Sequence, residues 1–300
     1  MQDSRLPIDG RAVSMMTMLC VIWSLQQISL KAVEVDVSPM LMIALRSGIA
    51  AFGVSLLMRM RGQGISLASG RWRVGAIVGV LFALEYLLVA EAVRLTYASH
   101  VIVFLYTAPI FAAMGLHARL PSERLRGRQW MGIATAFAGM VVAFIGHGNH
   151  ASAAAPSMLG GDALAVLGGA AWGATTVTIR VSRLSTAPPA ETLLYQLCGA
   201  FALLLPAAFL TGQTRFIPTN LAWLHLGFQA LIVSFGSFLL WFWLLRHYLA
   251  SRLSVFSFMT PIFGIVFGIS LLGEPLQANF ILGSVLVLGG IALVSVRGPR

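Results

Sequence analysis

The stretch ASHVIVFLYTAPIF at residues 98–111 returns at residues 250–263 as ASRLSVFSFMTPIF. Each copy lies in a long apolar run and carries a proline ten residues after its serine, at Pro109 and at Pro261. A proline inside a helix removes a backbone hydrogen bond and bends the helix. In a membrane this defect is tolerated only where neighbouring helices or water satisfy the freed groups. Two matched broken helices in the two halves of one chain therefore predict a path between the halves.

The composition is that of a membrane protein. Of the 300 residues, 58% are hydrophobic and only 10% are charged. A helix that crosses a bilayer needs roughly 20 mostly apolar residues. Such runs lie near residues 12–32, 39–59, 73–93, 98–118, 129–146, 162–182, 190–210, 222–245, 251–272 and 278–296. The sequence therefore predicts an all-α integral membrane protein with ten transmembrane helices.

Several other classes of protein do not fit this sequence. The net charge of +10 does not indicate a nucleic-acid partner, because the arginines are spread over short loops. Cys20 and Cys198 both fall inside predicted helices, so we expect neither a disulfide framework nor a metal site. The first apolar run is long enough to span and lacks a small-residue cleavage site, so we expect no cleavable signal peptide. No motif for a cofactor or a reaction is legible, and we expect neither a cofactor nor an enzyme.

The arginines also predict the orientation in the membrane. With the N-terminus in the cytoplasm, most basic residues fall in cytoplasmic loops, and the opposite side holds little beyond Lys31, Arg94 and Arg215. Basic residues favour the cytoplasmic side of a membrane. We therefore expect both termini in the cytoplasm.

The two halves of the chain repeat each other. At an offset of 149 residues, Trp23 matches Trp172 and Pro39 matches Pro188, and at 151 residues Glu123 matches Glu274. We therefore divide the chain into a five-helix repeat at 1–146, a linker at 147–161 and a second repeat at 162–300. Because five is odd, the second copy must enter the membrane with the opposite topology. Inverted repeats place a substrate site at their interface near the midplane, although duplication could also build only a symmetric bundle.

Polar and aromatic residues inside the predicted spans mark the candidate path. Polar groups in a membrane interior are costly and are candidates for function. Aromatic rings bind apolar or cationic groups by stacking and cation–π attraction, but they also serve as packing or interfacial residues. The candidate substrate-binding residues are Trp23, Gln27, Glu85, Tyr86, His100, Tyr106, Trp172, Thr176, Tyr195, Trp241 and Phe258.

Two charges and two prolines add further expectations. Arg46 and Glu85 lie at similar predicted depths, and we expect them to form an ion pair that is either functional or a static packing element. Glu85 is also a candidate for proton coupling because desolvation raises the pKa of a carboxylate, although a basic partner would oppose this. Pro109 and Pro261 are candidate hinges of a gate, with fixed kinks as the alternative.

Small residues on the fifth and tenth predicted helices suit close helix packing. We assign them either to the scaffold or to the contact of a homodimer. They are Gly132, Ala136, Gly139, Gly283, Gly289 and Gly290.

The tandem five-helix repeat, the tryptophans of the first helices, the two proline helices and the Leu-Gly-Glu at 272–274 resemble one known group. They resemble the drug/metabolite transporter superfamily, specifically its EamA-type ten-helix exporters. The resemblance covers essentially the whole chain, although the first copy reads Leu-Pro-Ser-Glu at 120–123. It implies a bacterial inner-membrane exporter of amino acids, related metabolites or organic cations, with a central cavity between the repeats. Similarity to the YddG-type branch implies export of aromatic and other neutral amino acids.

We therefore expect a carrier that works by alternating access. Aromatic side chains would hold the apolar part of the substrate, and Gln27, Tyr86 and Thr176 would hold the amino-acid head. The partners expected are a small-molecule substrate and the lipid bilayer. Alternatives that stay open are an exporter of cationic drugs or other metabolites, and a channel or lipid flippase without a closed central site.

Overall fold

The described part of the chain is a bundle of helices. In a computed structural model, residues 9–62, 70–121, 125–145, 155–248, 256–257 and 259–295 are described. The helices are α1 (Gly10–Ala32), α2 (Pro39–Met60), α3 (Arg71–Leu95), α4 (Ala98–Leu105), α5 (Ala108–Arg119), α6 (Gly127–Ile145), α7 (Ala155–Arg180), α8 (Pro189–Leu210), α9 (Asn220–Gly227), α10 (Phe238–His247), α11 (Met259–Leu272) and α12 (Ala278–Ser295). A π-helical segment, Phe228–Ser237, joins α9 to α10, and a 3-10 turn, Arg183–Thr186, precedes α8.

These helices carry the predicted membrane spans. Within the described residues, 7 helical segments are long and apolar enough to cross a bilayer, and Met259–Leu272 and Ala278–Leu293 are shorter apolar helices. One of the seven, Ala98–Arg119, consists of α4 and α5 together. The all-α membrane fold expected from the sequence is therefore confirmed. Residues 251–255 of the predicted ninth span and residues 147–154 of the predicted linker lie outside the described residues.

The fourth span is broken four residues before its proline. α4 ends at Leu105 and α5 begins at Ala108, because the ring of Pro109 cannot donate a backbone bond and clashes with the carbonyl of Leu105. A Cβ atom added to Gly169 of α7 would lie 2.9 Å from the Leu105 backbone oxygen. The break is therefore covered by the backbone of α7, which keeps its open carbonyl groups away from lipid.

Reciprocal glycine contacts show that the repeats are inverted. The sequence repeat matches Gly132 with Gly283 and Gly139 with Gly290. In space, a Cβ added to Gly139 would lie 2.7 Å from the Gly283 backbone oxygen, and one added to Gly290 would meet the backbone oxygen of Gly132. Gly139 therefore contacts the counterpart of Gly132, and Gly132 contacts the counterpart of Gly139. A two-fold axis between the repeats requires this exchange. These contacts between α6 and α12 lie inside the chain and belong to the scaffold.

The loops agree with this inversion. We call the two ends of the bundle the Gly10 end and the Ala32 end, after the ends of α1. The loop after α1 pairs with the segment that follows α8, where the Ile217 N–H donates to the Asp36 backbone oxygen at 2.9 Å. The Thr219 hydroxyl donates to the Asp36 carboxylate, also at 2.9 Å. The exit of the second helix in one repeat therefore lies beside the exit of the first helix in the other.

The second repeat caps the broken helix of the first. Glu274, in the loop between α11 and α12, accepts hydrogen bonds from the N–H groups of Ala98 at 2.6 Å and Ser99 at 3.1 Å. These groups are free at the start of α4, where a carboxylate also interacts favourably with the helix dipole. Glu274 of the Leu-Gly-Glu motif therefore fixes the start of α4 at the Ala32 end. Its sequence counterpart, Glu123, lies outside the described residues.

A different contact ties the two repeats at the Gly10 end. The Asp9 carboxylate caps α1 by accepting from the Ala12 N–H at 2.8 Å, and it also accepts from the Tyr248 hydroxyl at 3.0 Å. The bond from Ala12 is the main reason why the pKa of Asp9 lies below its usual value. The start of α1 is therefore held to the end of α10, in the second repeat.

The contact between α6 and α12 gives a test with neighbouring glycines. Gly290→Ala places a methyl group against the α6 backbone, which must move, and we expect a loss of about 1–3 kcal/mol in stability. Gly289→Ala is the matched control, because no described atom outside its own helix lies within 4 Å of an added Cβ there. Thermal unfolding of the purified variants in detergent measures both. Equal melting temperatures for the two variants would contradict the inverted packing.

The cap on α4 gives a second test. Glu274→Gln keeps an acceptor oxygen but removes the charge, so we expect the folded state to lose roughly 1 kcal/mol. Glu34→Gln is the control, since Glu34 forms a partly exposed ion pair with Lys31 at 3.0 Å, and such pairs contribute little. The melting temperature should fall for Glu274→Gln only. A wild-type melting temperature for that variant would show that the cap does not stabilise α4.

Candidate functional site

A network of buried polar side chains joins the two repeats in the Ala32 half of the bundle. The Gln26 amide on α1 donates to the Tyr86 hydroxyl on α3 at 3.2 Å. Arg46 on α2 donates to the Gln229 side-chain oxygen, and the Gln229 amide donates to the Gln26 backbone oxygen at 2.7 Å. We call Gln26, Arg46, Tyr86 and Gln229 the central polar network. It links three helices of the first repeat to the π-helical segment of the second.

Arg46 lies about 10 Å from the start of α2 at 1.5 Å per residue, and its surroundings differ from those predicted. Its guanidinium carbon lies 4.6 Å from the centroid of the Tyr86 ring, a cation–π arrangement. No ion pair within 4.0 Å joins it to Glu85, although both side chains are described. The expected Arg46–Glu85 pair is therefore not formed in this structure. The physical reason is that the guanidinium instead donates a hydrogen bond to Gln229 and lies over the Tyr86 ring.

Glu85 and Gln27 are buried without full hydrogen bonding. Glu85 is 4% exposed and Gln27 is 3% exposed. One side-chain oxygen of each, Oε2 of Glu85 and Oε1 of Gln27, has no hydrogen-bond partner in the described structure. Unsatisfied buried oxygens of this kind are costly and need a physical explanation. The sequence singled out Gln27, whereas the central polar network uses its neighbour Gln26.

The two first-helix tryptophans both reach the opposite repeat. The Trp23 indole N–H donates to the Ser237 hydroxyl at 3.0 Å, and its ring packs edge-on against Trp241 with centroids 5.7 Å apart. Trp172 on α7 packs edge-on against Tyr106 with centroids 5.3 Å apart. Tyr106 lies in the break between α4 and α5. Trp23 and Trp172, which are equivalent in the two repeats, therefore contact the interface between the repeats from opposite sides.

His100 forms a buried pair near the Ala32 end. Its Nδ1 atom lies 3.0 Å from the Asp162 carboxylate on α7, and its ring stacks on Phe280 with centroids 3.8 Å apart. Asp162 also accepts from the Thr96 hydroxyl at 2.6 Å. The contact joins α4 of the first repeat to α7 of the second. His100 therefore helps to close the bundle at this end.

The remaining predicted residues lie apart from this interface. The Tyr195 hydroxyl donates to Glu191 at 3.3 Å near the Gly10 end, where Glu191 also pairs with Arg71 at 3.3 Å. Thr176 is exposed, and its hydroxyl donates back to the Trp172 backbone oxygen at 3.1 Å. Pro261 is buried near the start of α11. Phe258 lies outside the described residues.

Sequence reasoning missed Gln26, Gln229 and Asp162. Gln229 lies on the π-helical segment, whose backbone bonds join residues five apart rather than four, so α-helical spacing could not place it. π-helical turns occur frequently at functional sites. A usable signal was present, because Gln229 is a lone amide in an apolar span and Asp162 a lone carboxylate at the start of another. In the described part of the chain, no three His, Cys, Asp or Glu side chains are grouped as a metal site.

Comparisons with known proteins agree with this architecture. The chain matches the EamA-like transporter family twice, over residues 10–145 and 159–296. It is 24% identical to the uncharacterized transporter YoaV of Bacillus subtilis, over 90% of this chain and 92% of that protein. It is 30% identical to an uncharacterized protein of Pseudomonas aeruginosa, over 84% of this chain and 82% of the relative.

Two further matches cover almost the whole chain. A Salmonella typhimurium protein named as a probable amino-acid metabolite efflux pump is 25% identical over 94% of both chains. A solved crystal structure superposes with a TM-score of 0.64 at 22% identity, covering 94% of this chain and 95% of the other, which supports the fold. With two tandem family matches and an interface built from both repeats, this chain belongs to the EamA-like transporter family.

Proposed function

We propose that this transporter exports amino acids and related small amphipathic metabolites by alternating access. The observation that carries the proposal is that Trp23 and Trp172 cross from their own repeat to the other one. In inverted-repeat transporters the substrate lies where the repeats meet. The relative named as an amino-acid metabolite efflux pump supports this substrate class.

We assign roles by the surroundings of each residue. Trp23, Trp241, Tyr106 and Trp172 offer ring surfaces to the apolar part of a substrate. Gln27, with its unused buried oxygen, offers a hydrogen bond to a polar head. Of the other candidates, Tyr86 belongs to the same polar region, while His100, Thr176 and Tyr195 lie apart from it.

The positions of the basic residues support an orientation in the membrane. The Gly10 end carries most of the basic residues among the described part of the chain, and the Ala32 end has Lys31, Arg94 and Arg215. Basic residues favour the cytoplasmic side. We therefore place the Gly10 end and both termini in the cytoplasm, and the protein in a bacterial inner membrane, as its bacterial relatives suggest. The basic residues at the Gly10 end include Arg11, Arg59, Arg61, Arg71, Arg73, Arg119, Arg126, Arg128, Arg180 and Arg183.

Counterflow of labelled amino acids in proteoliposomes tests this function. We expect saturable exchange with a panel of aromatic and other neutral amino acids, measured with and without a proton gradient. A channel would give no counterflow, and a carrier of cationic drugs would exchange organic cations but not the panel. Absence of exchange for the whole panel would overturn the proposed substrate class.

The Trp23 contact gives a residue-level prediction. Trp23→Phe keeps an aromatic ring but removes the N–H that bonds to Ser237, so we expect the KM of counterflow to rise roughly 5- to 10-fold. Trp223→Phe is the matched control, because Trp223 is 55% exposed on α9. Both variants should retain the wild-type melting temperature within a few degrees. An unchanged KM for Trp23→Phe would remove Trp23 from the substrate path.

The broken fourth span gives a prediction about turnover. Pro109→Ala restores a backbone N–H and favours a continuous helix, so we expect a lower kcat at a similar KM if the break moves during transport. Pro206→Ala is the control, because Pro206 also lies inside a helix, α8, away from the break. Equal kcat values for wild type and Pro109→Ala would identify the break as a fixed kink.

A further inference from the structure

Two buried ionisable side chains of the first repeat, one basic and one acidic, have unused hydrogen-bonding atoms. Arg46 is 2% exposed and Glu85 is 4% exposed. Arg46 Nε and Glu85 Oε2 are buried atoms without a hydrogen-bond partner in the described structure. Arg46 bonds to Gln229, but its Nε atom and Glu85 Oε2 stay unpaired, and a pair that served only packing would be expected to meet directly. The open positions therefore point to a ligand that carries both missing partners.

Tyr86 is adjacent to both groups, to Glu85 along the chain and to Arg46 in space. Glu85 precedes Tyr86 on α3, and the Arg46 guanidinium lies over the Tyr86 ring at 4.6 Å. Gln229 accepts from Arg46, and Gln26 donates to the Tyr86 hydroxyl. The cation and the ring are therefore held from the second repeat and from α1, which fixes their positions before a ligand binds.

We propose that Arg46 and Glu85 bind the zwitterionic head of the transported amino acid, which rests on the export function proposed above. The substrate carboxylate bonds to the Arg46 guanidinium, whose planar N–H groups match a carboxylate. The substrate ammonium bonds to the Glu85 carboxylate. A zwitterion pairs both buried charges at once and adds no net charge to the membrane interior, whereas an amine or an acid leaves one of them unpaired.

The wild-type protein gives a first test that needs no substitution. Unlabelled phenylalanine, phenethylamine and 3-phenylpropanoate compete with labelled phenylalanine in counterflow, and these three compounds differ only in the head group. We expect the amine and the acid to inhibit roughly 10- to 100-fold more weakly than phenylalanine, because each lacks one charged contact. Alanine with ethylamine and propionate repeats the comparison on a small side chain. Equal inhibition by all three compounds of a set would overturn the proposal.

Charge-neutral variants give a crossed test that a structural role would not pass. Arg46→Gln should weaken inhibition by phenylalanine and by 3-phenylpropanoate, and leave that by phenethylamine unchanged. Glu85→Gln should weaken inhibition by phenylalanine and by phenethylamine, and leave that by 3-phenylpropanoate unchanged. Arg94→Gln and Glu91→Gln are the matched controls, because these residues form a partly exposed ion pair at 2.8 Å.

The outcomes separate this site from the export function. The wild type could exchange amino acids while inhibition by all three compounds weakens equally in both variants. In that case the head-group site is wrong and the export function stands. Absence of exchange for every amino acid in the wild type overturns the export function, and the head-group site with it. Arg46→Lys, which keeps the charge, should retain discrimination against the amine, and its loss in a folded Arg46→Lys protein would contradict a charge-based site.

Discussion

Inside a bilayer, a polar group must find its partner within the protein, and this constraint explains where the two repeats touch. The open carbonyl groups of the broken fourth span lie against Gly169 of the second repeat. The free N–H groups at the start of α4 are capped by Glu274, also from the second repeat. Arg46 of the first repeat bonds to Gln229 of the second. At these three points each repeat satisfies polar groups that the other alone would leave without partners.

Inversion of the repeats brings equivalent residues to the same interface, but the two sides of that interface are not alike. Trp23 meets a hydroxyl and another indole, whereas Trp172 meets the tyrosine of the helix break. At the offset of 149 residues, Arg46 falls on Tyr195, which lies near the opposite end of the bundle and bonds to Glu191. The second repeat therefore carries a tyrosine at the position where the first carries Arg46. A symmetric scaffold thus carries an asymmetric set of polar side chains.

Much of this architecture could be predicted from the sequence, because it depends on local properties. The run lengths gave the spans, Pro109 gave the position of the break, and the spacing of Trp23 and Trp172 gave the repeat. The partners of the buried polar groups could not be predicted. Gln26 and Gln27 are chemically identical neighbours, and only the packing of α1 against α3 and the π-helical segment decides which one enters the network.

The sequence by itself determined the all-α membrane fold, the five-helix repeat and the inversion, because hydrophobic length and an odd helix count do not depend on distant contacts. The tertiary structure alone decided that Arg46 lies on Tyr86 and Gln229 rather than on Glu85. It also decided that His100 pairs with Asp162, which lies 62 residues farther along the chain. Both outcomes depend on helix rotation and depth, which are set by side-chain packing between the repeats and leave no periodic signal in the sequence.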